Sequence, residues 1–154
     1  MTLTDLLHPD AVIANLRVSS KKQALQEIAK RAAGQTGQAE RSIFEVLLER
    51  ERLGSTGVGN GIAIPHGKLP GIQRICGLFA RLHHPIDFEA IDEQPVDLLF
   101  LLLAPEGAGA DHLKALARIS RTLRDATLCE KLRGSDTPAS LYALLTAEPE
   151  NQAA

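Results

Sequence analysis

Nine residues near the middle of the chain, Val96-Asp97-Leu98-Leu99-Phe100-Leu101-Leu102-Leu103-Ala104, are apolar at every position but one. A strand with one wet face alternates apolar and polar residues, so a nearly continuous apolar run of this length reads as a strand buried on both faces. Both faces can be covered only if helices lie on either side of the sheet. The rest of the chain supplies them. Helical periodicity follows Ser20, whose spacing to Gln23 matches a capping box, and puts Ala24, Leu25, Ile28, Ala29 and Ala32 on one face. Gly34 and Gly37 end that helix. A second helix is expected over residues 39–52, with Ile43, Phe44, Val46, Leu47 and Leu48 as its apolar stripe. Strands are expected over residues 11–16 and 74–82, and further helices over residues 111–123, 125–133 and from Pro138 onward. Asp111 is expected to cap the first of these, with Leu113, Leu116, Ala117, Ser120 and Leu123 facing inward. Residues 148–154 read as a frayed end. The expected fold class is α/β: one domain, a three-layer α/β/α sandwich around a mixed β-sheet.

Length and charge narrow the function. The 154 residues fit one substantial core, and a net charge of −2 lacks the basic footprint of a nucleic-acid binder. Aromatic residues make up 3%, too few for base-stacking platforms. No apolar run approaches the about 20 residues that span a bilayer, and the first residues lack the basic and apolar regions of a signal peptide. Cys76 and Cys129 have no metal or redox spacing and read as reduced, packed thiols of a cytoplasmic protein. For the pair His83-His84, expected in a turn, the neighbouring side chains of an extended chain point to opposite faces and chelate poorly, so no metal is expected.

The chemistry concentrates in residues 54–71, which hold six glycines, Ser55, Thr56 and a single histidine, His66. Ile62-Ala63-Ile64 is too apolar for a loop and reads as a short strand, ended by Pro65 just before His66. Exposed backbone N–H groups in glycine loops make anion-binding concavities, to which Ser55, Thr56 and the Gly67 backbone would add donors. Arg50 falls within the apolar stripe of the second helix, Arg52 at its edge or outside. A guanidinium there either snorkels or pairs with a carboxylate, or it neutralises an anion in the adjacent loop. His112 would open a helix, where a plain exposed first-turn histidine is the ordinary reading.

The run Arg50-Glu51-Arg52-Leu53-Gly54-Ser55-Thr56-Gly57, followed by Gly61-Ile62-Ala63-Ile64-Pro65-His66-Gly67, resembles the active-site signature of the mannitol/fructose-type enzyme IIA family. These are phosphocarriers of the bacterial phosphoenolpyruvate-dependent phosphotransferase system. The likeness extends from about Leu3 to about Leu145 and is greatest to the nitrogen-related branch. It implies an α/β/α fold and a phosphohistidine at His66, on either ring nitrogen. It also implies a second active-site histidine at His112 and an active-site arginine at Arg50. The donor would be a histidine phosphocarrier protein. No cofactor or metal is implied, and no membrane insertion. With no transport domain fused, the output would be regulatory, on targets such as potassium-transport or sensor-kinase proteins. A homodimer stays open. So do two other readings: a sugar-specific IIA that passes phosphate to a IIB domain, and an anion-sensing or interaction module that is never phosphorylated. Val58, Ile62, Ile64, Leu69 and Ile72 are candidates for an apolar docking rim.

Overall fold

The computed structural model describes residues 1–147; the expected frayed end lies outside them. A short helix α1 (Leu3–Leu6) and a single 3-10 turn at Pro9–Ala11 lead into strand β1 (Val12–Leu16). Helices α2 (Lys21–Thr36) and α3 (Glu40–Arg52) follow, then the short strands β2 (Gly57–Gly59), β3 (Ile62–Ala63) and β4 (His66–Lys68). The long strands β5 (Cys76–Ile86) and β6 (Val96–Ala104) come next, and α4 (Ala110–Leu123), α5 (Ala126–Arg133) and α6 (Pro138–Leu145) close the described chain.

The strands form one mixed sheet in the order β1-β5-β6-β3-β2, with β4 also paired to β6. The apolar run is its centre. β6 is antiparallel to β5, with Phe79 opposite Phe100 and their rings 6.2 Å apart edge to face. On its other side β6 takes two short parallel strands in succession, Ile62 opposite Leu98 and then His66 opposite Leu102. Eight of its nine residues are buried, Asp97 alone being half-exposed. Helices α2 and α3 pack on each other and on β5 and β4, while α4, α5 and α6 form a second layer against β6 and β1. This is the three-layer arrangement that a doubly buried strand requires.

Local signals specify several helices as expected. Ser20 caps α2 by accepting from the Gln23 backbone, and the five residues expected on its inner face are its buried ones. Gln23 turns its own side chain to the backbone N–H of Ser19, not to that of Ser20, at 2.7 Å. Gly37, at φ 74°, ends the helix, and Gly34 lies inside it. Asp125 caps α5, and Thr137 with Pro138 opens α6.

Two expectations fail. The strand expected to end at Leu82 runs through the histidine pair to Ile86, with an irregular register against β6 between Arg81 and Ile86. That irregularity breaks strict alternation, so the His83 and His84 rings lie 4.3 Å apart rather than on opposite faces. His83 Nδ1 donates to the Asn15 side-chain oxygen. No cluster of three or more metal-ligating side chains occurs among the described residues. The second failure concerns α4. It starts at Ala110 and is capped by Gly109, whose φ of 53° glycine adopts freely, and not by Asp111. The buried face is His112, Ala115, Ile119 and Leu123, so that of the residues expected inward only Leu123 is buried, and Leu113 is exposed.

No helix among the described residues is long and apolar enough to cross a membrane.

Candidate functional site

β3 and β4 are one segment broken in the middle. Pro65 has no N–H to give a ladder, so the chain bridges the break with other partners. The Pro65 carbonyl accepts from Leu102 N at 2.9 Å, and Ile64 N donates back to the Thr56 carbonyl at 2.9 Å. His66 follows as the first residue of β4, half-buried, and its Nδ1 lies 2.7 Å from the Ile64 carbonyl oxygen. A carbonyl brings no proton, so Nδ1 carries one and donates it. That leaves Nε2 with its lone pair. Burial holds the His66 imidazole below the usual histidine range. The Ile64 carbonyl opposes this, the Arg50 guanidinium adds to it, and Glu51 opposes it. The ring is therefore neutral near pH 7.

His112 reaches the same place from the other layer. Its ring centroid is 5.7 Å from that of His66, with the planes tilted by 50°. It is 9% exposed, and its Nδ1 is buried with no hydrogen-bond partner among the described residues. Burial, His66 and Lys68, in that order, hold its pKa down. Arg50, half-buried in the last turn of α3, donates from Nη1 to the Gly54 carbonyl at 2.9 Å, which leaves most of its guanidinium donors without a partner among the described residues. Arg52 is exposed.

Gly67 sits where a Cβ would strike the Val46 side chain, so glycine here lets β4 approach α3. The two hydroxyls expected to bind an anion are occupied. Ser55 Oγ donates to the Phe88 carbonyl at 2.9 Å and accepts from Gly57 N at 3.0 Å. The Thr56 hydroxyl donates to Glu51, which also accepts from Thr56 N at 3.1 Å.

Glu51 itself escaped the sequence reading. It is 8% exposed, and Lys21 Nζ lies 2.8 Å from its Oε1. Its spacing from Ile43 and Leu47, eight and four residues along one helix, is the signal that places it on the inner line of α3. The expected docking rim changes too. Ile62, Ile64 and Leu69 are core residues and Ile72 is half-buried, leaving Val58 exposed at 46%. Leu53 and Leu113, exposed at 83% and 67%, instead stand next in sequence to the Gly54 loop and to His112.

Known proteins resemble this chain in sequence and fold. The family described as "Phosphoenolpyruvate-dependent sugar phosphotransferase system, EIIA 2" matches residues 5–148. A nitrogen regulatory protein of Bradyrhizobium diazoefficiens is 62% identical over 153 residues, covering 99% of this chain and 100% of that protein. One of Escherichia coli is 43% identical over 147 residues, covering 95% and 90%. Nitrogen regulatory protein IIA-Ntr from Neisseria meningitidis superposes with a TM-score of 0.88 at 33% identity, covering 94% of this chain and 99% of that one. IIA mannitol from Escherichia coli, at 18% identity, shares the fold with a TM-score of 0.76. The chain belongs to the EIIA type 2 family of the phosphoenolpyruvate-dependent phosphotransferase system.

Proposed function

We propose that this protein is a phosphocarrier that accepts a phosphoryl group on Nε2 of His66 from the phosphohistidine of a small carrier protein. One observation carries the reading: the Ile64 carbonyl holds the Nδ1 proton, so the half-exposed ring presents one nucleophilic nitrogen in one orientation. In the transfer the Nε2 lone pair forms the new N–P bond as the donor's N–P bond breaks, and that electron pair returns to the donor imidazole. His66 becomes a phosphoimidazolium whose charge faces the Ile64 carbonyl. Such a transfer asks the protein for little beyond placement and charge stabilisation. Arg50 neutralises phosphoryl charge through its guanidinium donors, and the backbone around Gly67 borders the site. His112, nine-tenths buried, donates to a phosphoryl oxygen and limits water on its side. No step calls on a metal ion, because the donor imidazole is already an activated leaving group.

The exposed Leu53 and Leu113 suit a shallow apolar rim for the carrier. The names of the relatives, nitrogen regulatory proteins that match over nearly their whole length, support a regulatory output; on this reading the phosphorylation state sets it, in the cytoplasm. Targets such as potassium-transport or sensor-kinase proteins belong to that reading. The sugar-specific alternative draws on a 40% identical fructose-specific EIIA component of Haloferax volcanii that matches 66% of this chain.

The test is the intact mass of wild type and His66→Ala after incubation with phosphoenolpyruvate and the two upstream phosphotransferase proteins. One acid-labile phosphoryl group on wild type alone is the expected result. No gain, with the upstream carrier shown to be charged, overturns the reading and leaves an interaction module. Onward transfer to a IIB domain would favour the sugar-specific role.

A further inference from the structure

A continuous set of hydrogen bonds runs from α2 to the ring of His66. Lys21 Nζ meets Glu51 Oε1 at 2.8 Å. Glu51 accepts from the backbone N–H and the hydroxyl of Thr56. The Thr56 carbonyl accepts from Ile64 N at 2.9 Å, and the Ile64 carbonyl accepts from His66 Nδ1 at 2.7 Å. Glu51, Thr56 and Ile64 are 8%, 3% and 5% exposed. Lys21 also fastens the loop on its other side. Its ammonium stands 4.9 Å from the Phe88 ring centre and 3.5 Å from Glu89, and the Phe88 carbonyl takes the Ser55 hydroxyl.

The weak point of the site is the break between β3 and β4. β3 has two residues, and Pro65 supplies no N–H, so Ile64 depends on Thr56 for its placement. Thr56 in turn sits in a glycine-rich loop that would drift without an anchor. A buried carboxylate is expensive to keep and is retained only where it is paired and fully hydrogen-bonded. Glu51 meets that condition through Lys21 and Thr56.

We propose that Glu51, its charge balanced by Lys21, is a positioning residue for phosphoryl acceptance, holding the His66 ring through Thr56 and Ile64 with Nε2 turned outward. The inference rests on the reading of His66 as the acceptor. No proton moves along this path. Each residue fixes the next, and the last bond selects the Nδ1–H tautomer.

The experiment uses the whole chain with three variants, Glu51→Gln, Thr56→Val and Thr56→Ser. Two readings are taken: the rate of phosphoryl gain from the charged upstream carrier, and the ring ¹⁵N shifts of His66 in its neutral form. Glu51→Gln and Thr56→Val should slow charging about ten- to a hundredfold, the scale of a small misplacement of reacting groups. They should also move the His66 shifts from a single Nδ1–H tautomer toward a mixture. Thr56→Ser, which keeps the hydroxyl, should restore both. A folded Glu51→Gln or Thr56→Val with the wild-type rate and wild-type shifts overturns the proposal, as does slow charging with unchanged shifts. Should Glu51→Gln not fold, Thr56→Val decides. A wild type that the charged carrier never phosphorylates would defeat the acceptor reading, and the ¹⁵N shifts would still decide the positioning claim.

Discussion

His66 of β4, in the sheet, and His112 of α4, in a helix layer beside it, bring their ring centroids to 5.7 Å, yet only one ring is tied down among the described residues. His66 gives its Nδ1 proton to the Ile64 carbonyl, whereas His112 Nδ1 is buried with no partner among the described residues. The pair is thus asymmetric. One imidazole is fixed by a backbone carbonyl, and the other carries a buried polar atom without a partner among the described residues.

The burial of the two rings sets a pH dependence. Both rings are held below the usual histidine range, in each case first by burial. Arg50, Glu51 and the Ile64 carbonyl also act on His66, and Lys68 acts on His112. The folded chain therefore binds fewer protons than the unfolded one near the ordinary histidine pKa of about 6.5. The stability this contributes is present above about 6.5 and is lost as pH falls through the lower folded values. The thermal midpoint should drop on acidification over that window, and His112→Gln should flatten the drop. Midpoints measured across pH for both proteins check this; a slope unchanged in the variant would show that His112 takes no part.

His66→Ala should abolish phosphoryl gain with little change in thermal midpoint, because the ring is half-exposed and its single hydrogen bond is local. Arg50→Ala and His112→Ala should each slow charging more than they lower the midpoint. Rates from a time course of intact masses, set beside melting curves, test the three together. Full transfer in the Arg50 or His112 variant would remove that residue from the site.

Gly67→Ala should destabilise the protein by about 1–3 kcal/mol, the usual range for overpacking a tight contact. The added Cβ would collide with Val46 of α3. Val46→Ala in the same chain should recover part of the loss. Urea unfolding of the two single variants and the double variant gives the coupling, and strict additivity would argue against the collision.

Asp125→Ala serves as a control remote from the histidines. Asp125 accepts from Leu128 N at 3.1 Å to cap α5. Its loss should cost about 1 kcal/mol and leave the charging rate of His66 as in wild type.

The sequence by itself determined those features whose cause lies within a few residues. The nearly continuous apolar run forced β6 into the middle of the sheet, and Ser20, Asp125 and Thr137 started helices where their side chains could take up free N–H groups. The inner face of α2 followed from its 3.6-residue period, and the motif around His66 was conspicuous because glycine, proline and histidine have conformational and chemical properties that no context removes. Other features depended on partners far along the chain. The rotation of α4 that buries His112 goes with the conformation of Gly109 at its start and the burial of Ala115 and Ile119 in the core. The employment of Ser55 and Thr56 as loop fasteners required Phe88, 33 residues on, and Glu51 on the far side of the loop. The extension of β5 to Ile86 depended on the pairing of Ile86 with Val96 of β6. In the same way the orientation of His66 came from Ile64, itself held by Thr56, and the meeting of the two histidines came from pairing β4 with β6. Hydrogen bonds and packing between distant residues are properties of the folded whole, and local periodicity carries no trace of them.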